Sequence, residues 1–275
     1  MRAGEQQGKV YTNTFVSWQE SLPALLDQAG LIEQIPSDQP ILIKPNLVEN
    51  LKPPITTPVA LIRALVEYLQ ERVSNTILIG EGCGALDYET GYVFQQLGYC
   101  NLAQERKIEL IDLNEEPCRK SRLEHCRRWP ELFLPELCYS SFLLSVPVLK
   151  VHTLAGVTLT MKNMMGLVPP AHYRQGNSWK KSAFHTKVHE AVADLNRYRS
   201  PDFTLLDATV GMAESHLWGK TCDPPVNRLV AGADPVALDS YGTALLGKSW
   251  ENIGHISSVN GELGCASPLK IIETS

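Results

Sequence analysis

Short apolar runs alternate with amphipathic stretches along nearly the whole chain, and this alternation restricts its fold more than any other feature. Val10–Phe15, Ile41–Ile43, Thr76–Gly80, Ile108–Leu113, Phe142–Leu149, Phe203–Leu206 and Arg228–Ala231 read as strands. Between them, Trp18–Ala29, the stretch after Thr57-Pro58, Gly91–Leu97 and His185–Tyr198 carry apolar residues at helical spacing. Apolar strands alternating with helices are the pattern of crossover-connected parallel sheets. The expected fold is α/β: a mostly parallel sheet with helices on both faces, in a single domain over residues 1–275. The charged, irregular stretch Asn114–Trp129 leaves room for a second lobe inserted at about 114–198.

Local signals place the element ends. Thr57 suits an N-cap and Pro58 the first helical position, and Asp234-Pro235 repeats that logic before VALDSYGTALLG. Gly30 and Gly98 read as helix stops, and Thr158–Met165 as a short helix ended by Gly166. Val168–Lys181 holds two prolines and a glycine and reads as a long loop. Glu131–Cys138 reads as an edge element, and a last helix is expected over about Ile253–Leu263.

Bulk composition excludes some classes. A net charge of -5 argues against a general nucleic-acid binder. No apolar run reaches the roughly 18 residues that a membrane span needs, so no membrane partner is expected. The polar start MRAGEQQGKVYTNTF has no apolar signal region, which leads to a cytoplasmic expectation. Seven cysteines are present with no C-x-x-C pair, as expected of reduced thiols. The cofactor is unknown from these residues; a metal or an iron–sulfur cluster built from scattered cysteines stays open.

Chemistry is suggested where apolar strands stop at a lysine. Lys44 closes PILIKPN and Lys150 closes FLLSVPVLKVH, while Lys162 lies in TLTMKNMMGLVPP. Ligands of open α/β sheets bind beyond the carboxyl ends of the strands. Three such lysines therefore predict one pocket for a small anionic molecule; the alternative is lysines snorkelling from strand ends. Asn46 follows Lys44 and can donate to a ligand oxygen. His152 shares a strand face with Lys150, a pairing suited to proton transfer. Thr160, Lys162 and Asn163 form a polar insert among methionines, either an anion site or the polar face of a core helix. Glu81 opens the loop EGCG, where it can serve as a base or bind substrate and where Cys83 offers a thiol.

His185 and His189 stand four residues apart in the expected helix, the spacing of a metal pair, with His172 and Asp194 as further donors whose spacing fixes nothing. His185 is also a candidate proton carrier beside His152. Asp207, read as the end of a strand, and Glu214 are candidate partners for the lysines. The glycines never fall as G-x-G-x-x-G or as a P-loop, so dinucleotide and nucleotide sites have no support.

The segments KPNLV, TTPVALIRALVEYL, GEGCG, VPVLKVHTLAGVTLTMKNMMGLVP and AGADPVALDSYGTALLG resemble, in that order, the domain of unknown function 362 family. The resemblance spans nearly the whole chain. Its most specific part is the set Lys150, His152, Lys162, Asn163 and Gly166. Many members carry an appended ferredoxin-like domain with iron–sulfur clusters, so the resemblance implies a ferredoxin-like redox partner; the cysteine run itself is lacking here. A fainter similarity runs to the nickel-pincer lactate racemase family through Thr57-Pro58 and the segment from Lys162-Asn163 to Gly166. There it implies a cofactor-holding lysine, and Leu159-Thr160-Met161 stands here in place of that family's glycine pair.

These readings lead to one functional expectation. Lys44, Asn46, Glu81, Thr160 and Asn163 would bind a small organic anion, and Lys150, His152, Lys162 and His185 would carry out a redox reaction or an isomerisation. A non-catalytic ligand or metal binder and an accessory subunit of an iron–sulfur redox system are the rival expectations.

Overall fold

A computed structural model describes residues 3–274. The strands are β1 (Lys9–Thr14), β2 (Ile41–Pro45), β3 (Ile77–Glu81), β4 (Glu109–Asp112), β5 (Cys118–Arg122) and β6 (Glu131–Pro135). They continue as β7 (Phe142–Val146), β8 (Val148–His152), β9 (Gly156–Thr158), β10 (Phe203–Met212), β11 (Arg228–Gly232) and β12 (Lys270–Glu273). The main sheet has the order β12-β1-β11-β10-β7-β2-β3-β4, with β8 joined to β10 and to β9. Strands β10, β7, β2, β3 and β4 run parallel, whereas β11 is antiparallel to both β1 and β10. This is the mostly parallel α/β sheet that the alternating pattern predicts.

Side-chain alternation explains why helices cover both faces. Ile41 and Ile43 of β2 join the core formed with Leu22, Leu25 and Leu26 of helix Trp18–Gln28 and Leu61, Ile62 and Leu65 of helix Val59–Gln70. Leu42, one residue out of phase, joins the opposite core with Val192 and Leu195 of helix Val188–Tyr198 and Leu238 of helix Pro235–Leu245. Each such buried leucine or isoleucine contributes about 1.5–3 kcal/mol of transfer free energy. A strand that points apolar residues both ways must be central, and β2 lies between β7 and β3.

The structure corrects several local expectations. Helix Val59–Gln70 starts after Pro58, and Thr57 does not cap it. The Thr57 hydroxyl instead accepts from the Asn46 amide at 2.8 Å and donates to the Val146 carbonyl at 2.7 Å, tying the end of β2 to the end of β7. The expected strand Phe142–Leu149 breaks at Pro147, which has no amide to continue a ladder. Beyond it β8 pairs with β10 and carries Lys150 and His152 past the rim of the sheet.

Asp207 does not end its strand, because β10 continues to Met212. Thr158 belongs to β9, so the polar insert is a helical turn at Thr160–Asn163 followed by a 3-10 turn at Met164–Leu167. The last helix is only Gly254–Ser257. Gly98, at φ 83, separates two helices, Thr90–Gln96 and Tyr99–Arg106, and the second was not expected. Of the segment 114–198, β7 and β8 lie inside the main sheet, and β5 and β6 form a separate two-stranded sheet.

Candidate functional site

Strands β2, β3 and β8 end in Pro45, Glu81 and His152, and a cavity of about 450 Å³ opens at these ends. Lys44, Lys150 and Lys162 all line it, and so does a fourth lysine, Lys181. Burying four ammonium groups in one place is costly unless each is paired. Among the described residues only Lys44 is.

Lys44 is fully buried and bridges both carboxylate oxygens of Glu81 at 2.9 and 3.0 Å. Glu81 also accepts from the amides of Leu47 at 2.9 Å and Gly82 at 2.8 Å. Burial draws the Lys44 amine below its ordinary value, and the charge and hydrogen bond of Glu81 oppose that. Glu81 is thus the counter-ion of Lys44, saturated with donors, rather than a free base. Two glycines let the loops close over this pair. A Cβ on Gly166 would collide with the Glu81 carboxylate and the Lys44 ammonium, and one on Gly82 with Asn114 and the Gly166 carbonyl.

Neutral acceptors hold the next lysine. Lys150 donates to Asn46 Oδ1 at 2.8 Å and to the Ile55 carbonyl at 2.7 Å. Asn46 Nδ2 passes the chain on to Asn163 Oδ1 at 2.9 Å, and Asn163 Nδ2 donates to Ser145 Oγ at 3.0 Å. The two asparagine side chains therefore orient lysines as well as facing the cavity. Burial first, then the Lys162 charge, draws the Lys150 amine down to about 7.

Lys162 has no such support. Its side chain is 8% exposed and lines the cavity, and no carboxylate or hydrogen-bond acceptor opposes its burial among the described residues. Burial alone brings its amine to about 7. The helical turn that carries it is anchored from behind: the buried carboxylate of Asp239 accepts from the Thr160 amide at 2.7 Å and the Met161 amide at 3.0 Å. Lys181 donates to the Gly166 carbonyl at 2.8 Å, and burial brings it to about 7 as well.

Three imidazoles share the cavity with Lys162. His152 stacks on His216 at 3.9 Å between ring centroids, and His185 lies 6.1 Å from His152. Burial, followed in each case by the Lys162 charge, holds all three neutral: His185 and His216 at about 4, and His152 lower still. His152 Nδ1 accepts from the amides of Leu154 and Ala155, both at 3.1 Å. The single ring proton of neutral His152 therefore sits on Nε2, which makes this nitrogen a donor.

Other expected site residues fall elsewhere. Thr160 is fully buried and does not line the cavity; its amide serves Asp239. The His185 and His189 pair does not form. His185 ends a 3-10 turn at Ser182–His185, Lys187 turns through a left-handed conformation at φ 52, and the helix starts at Val188. His189 meets His255 instead, with 3.1 Å between their Nδ1 atoms. His172 stacks on Phe133 at 4.0 Å, and Asp194 accepts from the Arg128 and Trp129 amides and pairs with Arg197. Asp207 bonds Thr209 and Glu214 pairs with Lys220, so neither neutralises the lysines. Cys83 is buried, and burial pushes its thiol up, away from the reactive thiolate.

Among the described residues no three histidine, cysteine, aspartate or glutamate side chains come together in a way that would hold a metal ion. The seven cysteines are all free and scattered. The donor set thus does not fit an iron–sulfur cluster. Lys181 and His216 escaped the sequence reading: one closes a proline-bearing loop and the other follows a strand read as ending at Leu206. No helix among the described residues is long and apolar enough to cross a membrane.

A family model described as Domain of unknown function (DUF362) matches residues 41–244. That span contains β2, β3, β8 and all four cavity lysines. No curated protein and no solved structure matches the chain.

Proposed function

The chain belongs to the family described as Domain of unknown function (DUF362), and we propose that it is an enzyme that isomerises a small organic anion by moving a proton in the lysine-lined cavity. One observation carries this reading. Lys150, Lys162 and Lys181 are buried together without an ion-pair partner among the described residues, an arrangement that favours a ligand bringing the missing negative charge.

Each side chain then has a task. Lys150, held by Asn46 and the Ile55 carbonyl, is fixed as a donor and grips the anionic group. Lys162, with no acceptor of its own among the described residues, shares that grip as its ammonium and, in the free-amine form that coexists with it near pH 7, takes a proton from a carbon next to that group. The neutral His152 donates from Nε2 to the oxygen on which charge develops. Returning the proton to a different carbon, or to the other face of the same carbon, completes an isomerisation. The Lys44–Glu81 pair supports the walls and takes no part in the proton transfer.

Solvent exchange tests this reading directly. Small organic carboxylates and phosphate esters are incubated with the protein in deuterated water and followed by proton NMR. At least one is expected to raise the melting temperature and to lose a carbon-bound proton signal to deuterium. Lys162→Met should abolish the exchange. The reading fails if no compound binds, or if exchange proceeds unchanged in the variant.

A further inference from the structure

The cationic groups of the cavity fall into two sets. Lys150 and Lys162 form the first, with the three imidazoles around them. Lys181 forms the second: it lines the same cavity, but its ammonium is held by the Gly166 carbonyl at 2.8 Å and shares no hydrogen-bond partner with Lys150 among the described residues. Lys150 reaches the Lys44–Glu81 pair through Asn46 and then Asn163, which accepts from Lys44 at 3.3 Å. Lys181 reaches it through the Gly166 carbonyl, whose residue lies against Lys44 and Glu81. An internally neutral ion pair thus stands between two lysine poles in the network that have no ion-pair partner of their own among the described residues.

One anionic group cannot neutralise both poles. It would leave Lys181 or the Lys162 side either charged without a partner or forced to give up its proton, and a second anionic group removes that cost. The walls offer apolar contact from Val48, Met165, Leu154 and Trp179. The volume of about 450 Å³ lies in the range of small-molecule sites and holds more than a lone carboxylate. Building on the reading of the cavity as an anion site, we infer that its ligand is a compact organic dianion, with one anionic group on Lys150 and Lys162, a hydrocarbon middle, and a second anionic group on Lys181. Lys181 is then a specificity-determining residue that selects diacids over monoacids.

Isothermal titration at pH 6.5 with linear mono- and dicarboxylates of three to six carbons tests the inference. The best diacid is expected to bind at least tenfold more tightly than the monoacid of equal length. Lys181→Met should erase that ratio while leaving monoacid affinity within about threefold, and Lys181→Arg should restore it. Lys162→Met should weaken both ligand types. Melting curves confirm that each variant is folded, and the arginine variant keeps the test decisive if methionine at 181 does not fold. Monoacids and diacids binding equally well would overturn this inference and leave the anion site standing. Binding of neither type, by either ligand series, would overturn the anion reading and this inference together.

Discussion

Lys162→Met should make the protein more stable, and the gain should depend on pH in a calculable way. The amine has no acceptor to lose among the described residues, and methionine keeps an unbranched apolar stem in the same space. A fall from 10.5 to about 7 corresponds to roughly 5 kcal/mol of unfavourable burial when the group is protonated. Water in the cavity relieves part of this, so a gain of about 2–3 kcal/mol at pH 6 is expected. For a chain of this size that is a rise of about 4–6 °C in melting temperature. The sign follows from proton counting. Between about 7 and 10.5 the unfolded chain binds more protons at this residue than the folded one, so wild-type stability rises with pH across that window. The advantage of the variant is therefore greatest at and below pH 7, shrinks as pH rises through the alkaline range, and vanishes near 10.5. Calorimetry or urea unfolding of both proteins at pH 6, 7.5 and 9 measures it. A destabilised variant, or a gain that does not change with pH, would refute the reasoning.

Lys44→Met tests the opposite case, since it strands the Glu81 carboxylate. It should cost about 3–5 kcal/mol in urea unfolding, and a loss under 1 kcal/mol would contradict the pairing. Gly166→Ala drives a methyl group into the Lys44–Glu81 pair and should lower both the melting temperature and anion affinity; a variant equal to wild type would show that the loop has room. His152 should hold its proton on Nε2 and stay neutral from pH 5 to 8 in nitrogen-15 NMR spectra, and titration near 6.5 would contradict its burial among cations. Anion affinity should fall as pH rises through 7, because the ammonium groups that bind the ligand lose their protons there; affinity unchanged up to pH 9 would rule out those lysines.

Much of this architecture is legible in the residue order, for local reasons. Ile41–Ile43 is apolar on both faces and must be central, so its terminal Lys44 lies at the rim where open sheets bind ligands. Asp234-Pro235 predicts the helix it caps, and Asp234 accepts from the Val236 and Ala237 amides as that pattern requires. What the sequence hides depends on distant contacts. Thr57 looks like a cap, yet its hydroxyl is claimed by two strand ends. His185 and His189 look like one helix face until Lys187 adopts a left-handed turn that no residue type there announces. Glu81 looks like a free base in a glycine loop, and only the packing of β2 beside β3 shows it neutralising Lys44. Lys181 lies in a segment with no periodicity, and its hydrogen bond to the distant Gly166 carbonyl shows its place at the cavity.

Lysine side-chain titration by carbon-13 NMR tests the central claim most directly and needs no ligand. With the ε-carbon labelled, three resonances are expected to titrate near pH 7, and each should disappear in one of Lys150→Met, Lys162→Met and Lys181→Met. If every lysine resonance instead titrates near 10.5, the cavity is wet, its cations are ordinary surface charges, and the account built on their burial is wrong.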